Sequence, residues 1–222
     1  MHLSDDDKIS FMERAMEMNK IFLKYMDIEG YKNFYNRVHV DFSPHLNIVA
    51  GPPKFGKSNL LNAINWTLLD TDGTDNTPET IIFHGNKTRK PYDFAEVTLC
   101  YGKENNEGSI IIKHRLERSG NNFWQIDTKQ YDSFESFKSH LQEFKFSELC
   151  LIKDFNKSNR NISNHFEGLL KQVDEKQCII EICKEIDWHK ISNKKIPNCL
   201  IGIYPSEKDV IKVIALIDRM GD

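Results

Sequence analysis

The sequence predicts an α/β fold: a mixed sheet with an antiparallel β layer and flanking helices. Residues 21–28 and 38–42 have the composition of two strands joined by a polar bend. The short apolar segment 46–50 runs into a loop bounded by glycines, and residues 58–69 then have helical spacing. Further strands are expected at 95–101, 109–116 and 123–127, with a turn at 119–122.

The remaining elements follow from apolar spacing and turn-rich composition. Ser4 can cap a helix, and Ile9, Met12 and Met16 share one face of it, so residues 1–20 should form an N-terminal helical extension. Residues 21–222 should then form a single domain. Within it we expect polar loops at 70–79 and 154–164, helices at 134–144, 165–187 and 210–220, and strands at 149–152 and 199–204.

Composition limits the classes of function. Of 222 residues, 39% are hydrophobic, which suffices for a core and argues against disorder. The formal net charge of −3 argues against a positive electrostatic potential over the whole surface that would attract nucleic acid. No apolar run reaches the ~18 residues that a membrane-spanning helix needs. The acidic start argues against a secretory signal peptide. Five cysteines without a CxxC pair favour reduced thiols over disulfides or a zinc site.

A phosphate-loop motif carries the main functional signal. Residues 51–58, Gly-Pro-Pro-Lys-Phe-Gly-Lys-Ser, match G-x-x-x-x-G-K-[ST] between an expected strand and an expected helix. In this context backbone N–H groups face phosphates, Lys57 neutralises phosphate charge and the Ser58 hydroxyl ligates Mg²⁺. The candidate nucleotide-binding residues are Gly51, Lys54, Gly56, Lys57, Ser58 and Asn59, with Ser58 as the Mg²⁺ ligand.

The interior of this loop departs from a typical phosphate cradle. Pro53 has no N–H to donate to a phosphate. Lys54 and Phe55 place side chains where close backbone approach favours small residues. We therefore expect ATP and Mg²⁺ to bind weakly or not at all.

Nucleotide hydrolysis needs a further carboxylate, usually an Asp directly after an apolar strand. The late apolar strand at 199–204 ends in Tyr204-Pro205 instead. Residues 86–89 and 156–159 lack the final Asp of a guanine-reading motif. Residues 70–73 fit D-x-x-G but follow the loop too closely, and we interpret them as a turn.

Several motifs, in the expected order, resemble the SMC family of chromosome ATPases. Residues 27–34 resemble the opening strand of that family and its G-F-K-S-Y stretch, and residues 46–52 and 56–64 resemble its strand into G-P-N-G-S-G-K-S-N. Residues 81–86 resemble its leucine-isoleucine-histidine turn, residues 95–97 the start of its next strand, and residues 151–154 its Q-loop. Asp154 stands where the Q-loop has Gln. The resemblance covers residues 21–171 and implies a P-loop NTPase fold of the ABC/SMC-head type.

Beyond residue 171 the resemblance becomes faint, and there is no room for the coiled coil and hinge of that family. Residues 188–193 resemble the lead-in to the signature motif of the larger SMC subunit of condensin, but the L-S-G-G-E-K signature does not follow. Residues 197–203 resemble the Walker B strand, with Tyr204-Pro205 replacing Asp-Glu. Residues 171–222 should form a shortened, degenerate C-terminal lobe.

The resemblance thus implies an ATPase head without arms that cannot complete a two-site ATP cycle and is not a turnover enzyme. We expect it to bind SMC or kleisin subunits of condensin or a related chromosome-organising complex and to regulate that complex negatively. DNA contact should be weak, and no membrane contact is expected. The expected location is nuclear and chromosome-associated, or cytoplasmic before docking.

Two other classes of function stay open. The loop at 51–58 could serve an active small ATPase or nucleotide kinase, and the basic stretches 87–90 and 194–195 could contact nucleic acid. His84 and His114 lack a paired base and nucleophile and are interpreted as structural or solvated. The residues interpreted as packing are Trp66, Phe123 and Trp124.

Overall fold

The computed structural model describes residues 21–44, 46–50, 56–71, 75–102, 108–144, 146, 149–152, 177–182, 199–205 and 211–217. The helix expected in residues 1–20 and the loop expected at 154–164 lie outside them. In chain order the elements are β1 Phe22–Glu29, β2 Val38–Asp41, β3 Leu46–Ala50, α1 Lys57–Leu69, α2 Pro78–Ile81, β4 Phe94–Gly102, β5 Ser109–Glu117, β6 Asn122–Ile126, β7 Lys129–Tyr131, α3 Phe134–Leu141, β8 Leu149–Ile152, β9 Gln177–Ile182, β10 Cys199–Pro205 and β11 Ile211–Ile217.

The alternating segments form an antiparallel sheet with the spatial order β2-β1-β4-β5-β6-β7. β1 pairs with β2 on one side and with β4 on the other, with an irregularity between Leu23 and Tyr25. Inward-facing side chains alternate with outward-facing ones, as in β4, where Ala95, Val97 and Leu99 are buried. The predicted antiparallel layer is therefore confirmed.

A second, mixed sheet has the order β11-β10-β3-β9-β8. β3 is its central strand and pairs in parallel with β9 and with β10. β8 extends the parallel part at one edge, and β11 adds an antiparallel strand at the other. The predicted strands at 46–50, 149–152 and 199–204 are confirmed.

The helix α1 fills the space between the two sheets. It packs on β4 and β5 of the antiparallel sheet and on β9 of the mixed sheet. Since both sides of the helix are covered, its apolar side chains Leu60, Leu61, Ile64 and Trp66 are fully buried. At about 1.5–3 kcal/mol for each large apolar side chain, this burial is a main source of the fold's stability.

Two buried amide side chains bind backbone groups, and one of them, Gln177, does so across the two sheets. Gln177, which begins β9, accepts a hydrogen bond from the Leu23 N–H (2.9 Å) and donates to the Leu23 and Ser43 carbonyls (2.8 and 2.7 Å). Asn47 of β3 accepts from the Ser43 N–H (2.8 Å) and donates to the Ser43 carbonyl (3.0 Å). Because both amides are buried, these bonds satisfy backbone groups that water cannot reach.

Two of the helix predictions are wrong. The helix predicted at 165–187 contains the strand β9, and the helix predicted at 210–220 contains the strand β11. Both segments are rich in isoleucine and valine, which favour strands. β9 also pairs in parallel on both sides, and such strands lack the polar alternation that distinguishes a strand from a helix. The helix predicted at 134–144 is present but ends at Leu141.

Among the described residues, no helix is long and apolar enough to cross a membrane.

Candidate phosphate-binding site

Three parallel strands direct their carboxyl ends toward the start of α1. In the register of the sheet, Ala50 at the end of β3 lies between Ile182 of β9 and Gly202 of β10. Six residues, 51–56, separate the end of β3 at Ala50 from the start of α1 at Lys57. This edge of an α/β sheet is where such folds bind ligands.

Gly56 sets the geometry of the helix start. It precedes α1 with φ of 95°, a left-handed conformation that favours glycine. A Cβ at this position would lie 2.2 Å from Asn33 Nδ2 and 2.9 Å from Asn33 Oδ1. The second glycine of the motif is thus required both by its backbone angle and by the approach of another side chain.

Lys57 and Ser58 form the first turn of α1. Lys57 is only 2% exposed, whereas lysine side chains in folded proteins are mostly exposed. Within the described residues, the first turn carries no acidic side chain, and no side chain caps the start of the helix, which is the positive end of its dipole. A lysine and a helix N-terminus at one place together favour a bound anion.

The structure brings four of the six predicted nucleotide-binding residues together at this helix start: Gly56, Lys57, Ser58 and Asn59. The other two, Gly51 and Lys54, lie outside the described residues. Asn59 donates a hydrogen bond from Nδ2 to Asn33 Oδ1 at 2.8 Å. Ser58 is partly exposed, as a hydroxyl that ligates a nucleotide-bound Mg²⁺ must be.

Asn33 is a residue of this site that the sequence analysis did not single out. It lies in the turn after β1, where the Phe34 N–H donates to the Tyr31 carbonyl (2.8 Å) and the Lys32 N–H donates to the Ile81 carbonyl (2.7 Å). The turn is thereby fixed against α2. The available signal was the position of Asn33 in the stretch that resembles G-F-K-S-Y, but residue spacing alone does not show that this stretch reaches the loop.

The strand ends beside β3 carry few carboxylates. β10 ends in Tyr204-Pro205, as the sequence indicated. In the described part of β9 the acidic residue is Glu181, which pairs in register with Val49, one residue before the end of β3. Asp154, which occupies the Q-loop position, lies outside the described residues. No cluster of three or more metal-ligating side chains occurs within the described ranges.

A buried histidine packs against the carboxyl-terminal end of α1. His114 stacks between Trp66 and Trp124, with ring centroids 3.8 and 4.6 Å away. Its Nδ1 donates to the Trp66 carbonyl oxygen (3.0 Å), and its Nε2 contacts the Asn122 side-chain amide (2.7 Å). Burial lowers the pKa of His114 to about 4, so the ring is neutral at neutral pH. His114 is therefore a packing residue, in agreement with its structural interpretation.

Asp70 terminates α1 next to this histidine. It has φ of 49°, and its Oδ1 lies 3.9 Å from His114 Nε2. Burial, with a smaller contribution from the negative charge of Glu135, raises the pKa of Asp70 to about 6. Among the described residues, Asp70 Oδ1 is buried without a hydrogen-bond partner. A carboxylate is thus held in an unfavourable place at the negative end of the helix dipole.

The basic turn at 87–90 lies against aromatic side chains. The Arg89 guanidinium stands over the Tyr35 ring, 4.6 Å from its centroid. Tyr35 in turn makes edge contacts with Phe83 and Tyr92, at 5.2 and 5.3 Å. Arg89 therefore takes part in a packed cation–π contact rather than standing on an extended basic surface.

Comparison with known proteins identifies the class. The family model of the RecF/RecN/SMC N terminal domain matches residues 22–151, more than half of the chain. The chromosome partition protein Smc of Desulfitobacterium hafniense is 34% identical over 110 residues, which cover 45% of this chain and 9% of that protein. Its counterpart in Bacillus subtilis is 33% identical over 117 residues, which cover 49% and 10%.

Solved structures agree with this fold. The Smc head bound to the C-winged helix domain of ScpA has a TM-score of 0.71 at 14% identity, covering 88% of this chain and 98% of that chain. The SMC head domain from Thermotoga maritima has a TM-score of 0.67 at 16% identity, covering 88% and 99%. At these identities the likeness shows the fold alone.

The chain belongs to the RecF/RecN/SMC family and has the P-loop NTPase fold of an SMC head. It is an SMC-type head domain related to chromosome partition proteins. The match to the D. hafniense and B. subtilis proteins spans about a tenth of their length.

Proposed function

We propose that this chain is a nucleotide-binding SMC-type head with impaired hydrolysis. In this proposal it docks on SMC or kleisin subunits of condensin or a related chromosome-organising complex and regulates that complex negatively. Its place of action is the nucleus, on chromosomes, with a cytoplasmic form before docking.

The observation that carries nucleotide binding is the position of Lys57 in the first turn of α1, at the carboxyl ends of the parallel strands. Lys57 is 2% exposed and follows a left-handed Gly56 at the carboxyl ends of three parallel strands. A phosphate there gains the lysine charge and the helix N–H groups together. This arrangement supports ATP as the ligand, with Mg²⁺ held through Ser58.

Impaired hydrolysis is supported by the residues around that phosphate site. Pro52 and Pro53 remove two N–H donors from the loop. β10 runs parallel to β3 and ends in Tyr204-Pro205, where hydrolysis would require a carboxylate to hold Mg²⁺ and orient water. Binding and turnover should therefore be separable in this chain.

Docking is supported by analogy with the Smc head that binds the C-winged helix domain of ScpA, a structure that this chain matches over 88% of its length. A head that presents a comparable surface but turns over little ATP would occupy a partner without completing a cycle. Competition with an active head would then lower the activity of the complex.

Hydrolysis is tested by measuring phosphate release from ATP in the purified chain with and without Lys57→Ala. We expect turnover at the same background level in both proteins. A matched control is Lys129→Ala, since Lys129 is an exposed lysine in β7, far along the sheet from α1. Turnover that Lys57→Ala abolishes and Lys129→Ala leaves intact would contradict the impairment.

Docking is tested by affinity capture of the tagged chain from a native nuclear extract, with quantitative mass spectrometry. The expected result is enrichment of SMC or kleisin subunits. Loss of that enrichment in Lys57→Ala, but not in Lys129→Ala, would indicate that nucleotide controls docking. If neither class of subunit is enriched, the regulator proposal fails.

A second candidate, an active small ATPase, gains support from one feature of the mixed sheet. β9 lies beside β3 and carries Glu181 in register with Val49. A carboxylate on a neighbouring strand is the type of group that hydrolysis requires. This candidate predicts a turnover that Glu181→Gln abolishes while ATP binding is retained.

A further inference from the structure

We propose that His39 is a pH-sensitive clamp at the edge of the antiparallel sheet. As the imidazolium it bridges Asp27 of β1 and Asp41 of β2 through both ring nitrogens, and loss of its proton weakens the attachment of β2 to β1. The proposal concerns the outer face of the sheet and does not depend on nucleotide binding at Lys57.

His39 lies on the side of the β1–β2 pair that faces away from the core. In the register of the two strands it is opposite Asp27, and Asp41 follows two residues later on the same face of β2. Met26 and Val40, which alternate with these residues, are buried. Within the described sheets β2 is hydrogen-bonded to β1 alone, so its attachment depends on contacts across this one pair of strands.

Both ring nitrogens of His39 face a carboxylate oxygen. Nδ1 lies 2.7 Å from Asp27 Oδ1, and Nε2 lies 3.1 Å from Asp41 Oδ1. An ionised carboxylate only accepts hydrogen bonds, whereas a neutral imidazole has one N–H and one acceptor nitrogen. The imidazolium has two N–H groups and satisfies both contacts, so this geometry requires a proton on each ring nitrogen.

The adjacent charges favour the charged ring. Partial burial alone would lower the pKa of His39, but the hydrogen bonds to Asp27 and Asp41 and their negative charges raise it above its ordinary value of 6.5. Arg37 Nη2 donates to Asp27 Oδ2 at 2.7 Å. Partial burial alone would raise the pKa of Asp27, but its bonds to Arg37 and His39 lower it, so this carboxylate is ionised at neutral pH.

Several elements contribute titratable or charged groups around the ring. They are Tyr25, Asp27 and Glu29 of β1, Arg37 of the turn, Asp41 of β2, Glu96 of β4 and Lys212 of β11, which lies beside β2. The Tyr25 ring lies 4.9 Å from the imidazole ring, and Glu29 and Glu96 add negative charge around Arg37. A rise in pH therefore removes one positive charge from a ring that two carboxylates contact directly.

Loss of the proton leaves one ring nitrogen as an acceptor that faces a carboxylate oxygen. Asp41 is the partner that can turn away, because its side chain is 48% exposed, against 13% for Asp27. The contact across the strands, between His39 and Asp27, then loses the attraction of opposite charges. Because the folded pKa is raised, the stabilisation is fully present below the ordinary value of 6.5 and is lost as pH rises through the folded pKa.

The first experiment follows the His39 ring nitrogens by NMR in the full chain, from about pH 5 to about pH 9. Asp41→Asn removes the charge that faces Nε2, and Asp93→Asn makes the same change at an exposed aspartate elsewhere in the chain. Thermal unfolding of each variant checks that the fold is retained.

We expect the titration midpoint of His39 to lie above 6.5, with an N–H signal from both ring nitrogens in the charged form. Asp41→Asn should lower the midpoint, and Asp93→Asn should leave it where it is in the unsubstituted chain. A midpoint at or below 6.5 overturns the proposal, and so does a midpoint that Asp41→Asn does not lower.

Amide hydrogen exchange tests the attachment of the strand itself. The Phe42 N–H, which donates to the Lys24 carbonyl at 2.7 Å just after β2, is the reporter, and the amides between β4 and β5 are the reference. After correction for the intrinsic pH dependence of exchange, protection of Phe42 should fall by about two- to fivefold relative to the reference between about pH 6 and pH 9. His39→Gln should abolish this fall.

The exchange experiment can overturn the clamp even if His39 titrates as expected. Protection of Phe42 that does not change with pH would show that the proton on His39 does not affect the attachment of β2. The same fall in His39→Gln as in the unsubstituted chain would assign the pH dependence to another group.

Discussion

Two residues with positive φ mark the ends of α1, and each constrains the sequence for a different reason. Gly56 at the start has φ of 95° and Asp70 at the end has φ of 49°. At Gly56 both the backbone and the neighbouring Asn33 exclude a side chain. At Asp70 the backbone tolerates Asp or Asn, but the charge of the carboxylate is poorly accommodated.

We predict that Gly56→Ala lowers the free energy of unfolding by about 2–4 kcal/mol, the sum of left-handed strain and a steric clash. The control is Gly120→Ala, because Gly120 has a similar φ of 89° but nothing lies within 4 Å of its Cβ position. That variant should lose only about 1–2 kcal/mol. Urea unfolding of both proteins measures the difference.

The clash can be tested separately from the strain. Combining Gly56→Ala with Asn33→Ala removes the amide that the new methyl group meets. The double variant should therefore be less destabilised than the sum of the two single changes. Strict additivity would show that the left-handed backbone alone accounts for the loss.

Asp70→Asn should raise stability at neutral and alkaline pH by about 1–2 kcal/mol, a value reduced for the partial exposure of this side chain. The folded pKa of about 6 lies above the ordinary value of 3.8. Between these values the folded chain binds more protons than the unfolded chain, so stability falls as pH rises. The Asp70→Asn variant has no carboxyl group to ionise, so it avoids this fall in stability. Asparagine also suits the left-handed conformation at the end of a helix.

The stability advantage of Asp70→Asn should depend on pH in a defined direction. The advantage of Asp70→Asn should be small near pH 4 and reach its full size above about pH 7. His114, with its pKa lowered to about 4, favours unfolding as pH falls below its ordinary value. Because both proteins contain His114, its contribution largely cancels in their difference. An advantage that is largest at pH 4 would contradict the role of charge burial.

At the scale of elements, β9 holds the two sheets together through its first residue. Gln177 is 1% exposed and satisfies the N–H and carbonyl of Leu23 and the carbonyl of Ser43. Ser43 keeps a second partner in Asn47. Loss of the Gln177 amide would thus deprive the Leu23 N–H and carbonyl of this partner, whereas the Ser43 carbonyl would keep Asn47.

We predict that Gln177→Ala lowers the free energy of unfolding by about 2–4 kcal/mol, because buried backbone groups lose their partners and a cavity forms. Gln130→Ala is the matched control, since Gln130 is an exposed glutamine in β7. It should change stability by less than about 0.5 kcal/mol. Equal effects in the two variants would mean that the bridge between the sheets contributes little.

The antiparallel layer could be predicted from sequence because its strands are half exposed. Alternation in segments such as 95–101 and 109–116 records which face is buried. β9 and β11 could not be predicted in the same way, because short isoleucine-rich segments fit a helix as well as a strand. Only the pairing with β3 and β10 decides between the two.

At the scale of the whole molecule, the same distinction applies to the site. Gly56, Lys57, Ser58 and Asn59 are contiguous, so a sequence motif contains them. Asn33 reaches Asn59 from 26 residues upstream, and the His114 ring reaches the Trp66 carbonyl across 48 residues. Such contacts depend on how β1 and β5 pack around α1, which residue spacing does not encode.

The whole-molecule consequence of nucleotide binding is a gain in global stability. Because the site joins the start of α1 to the turn after β1, a bound nucleotide should stabilise the entire domain. Mg²⁺-ATP at a hundred times its Kd should add about 2.7 kcal/mol, measurable as a rise in Tm of several degrees. Lys57→Ala should lose this increment relative to its own apo form, whereas Lys129→Ala should keep it. A Tm that Mg²⁺-ATP leaves unchanged at millimolar concentration, in a chain that is folded, would show that the phosphate loop has lost its ligand as well as its turnover.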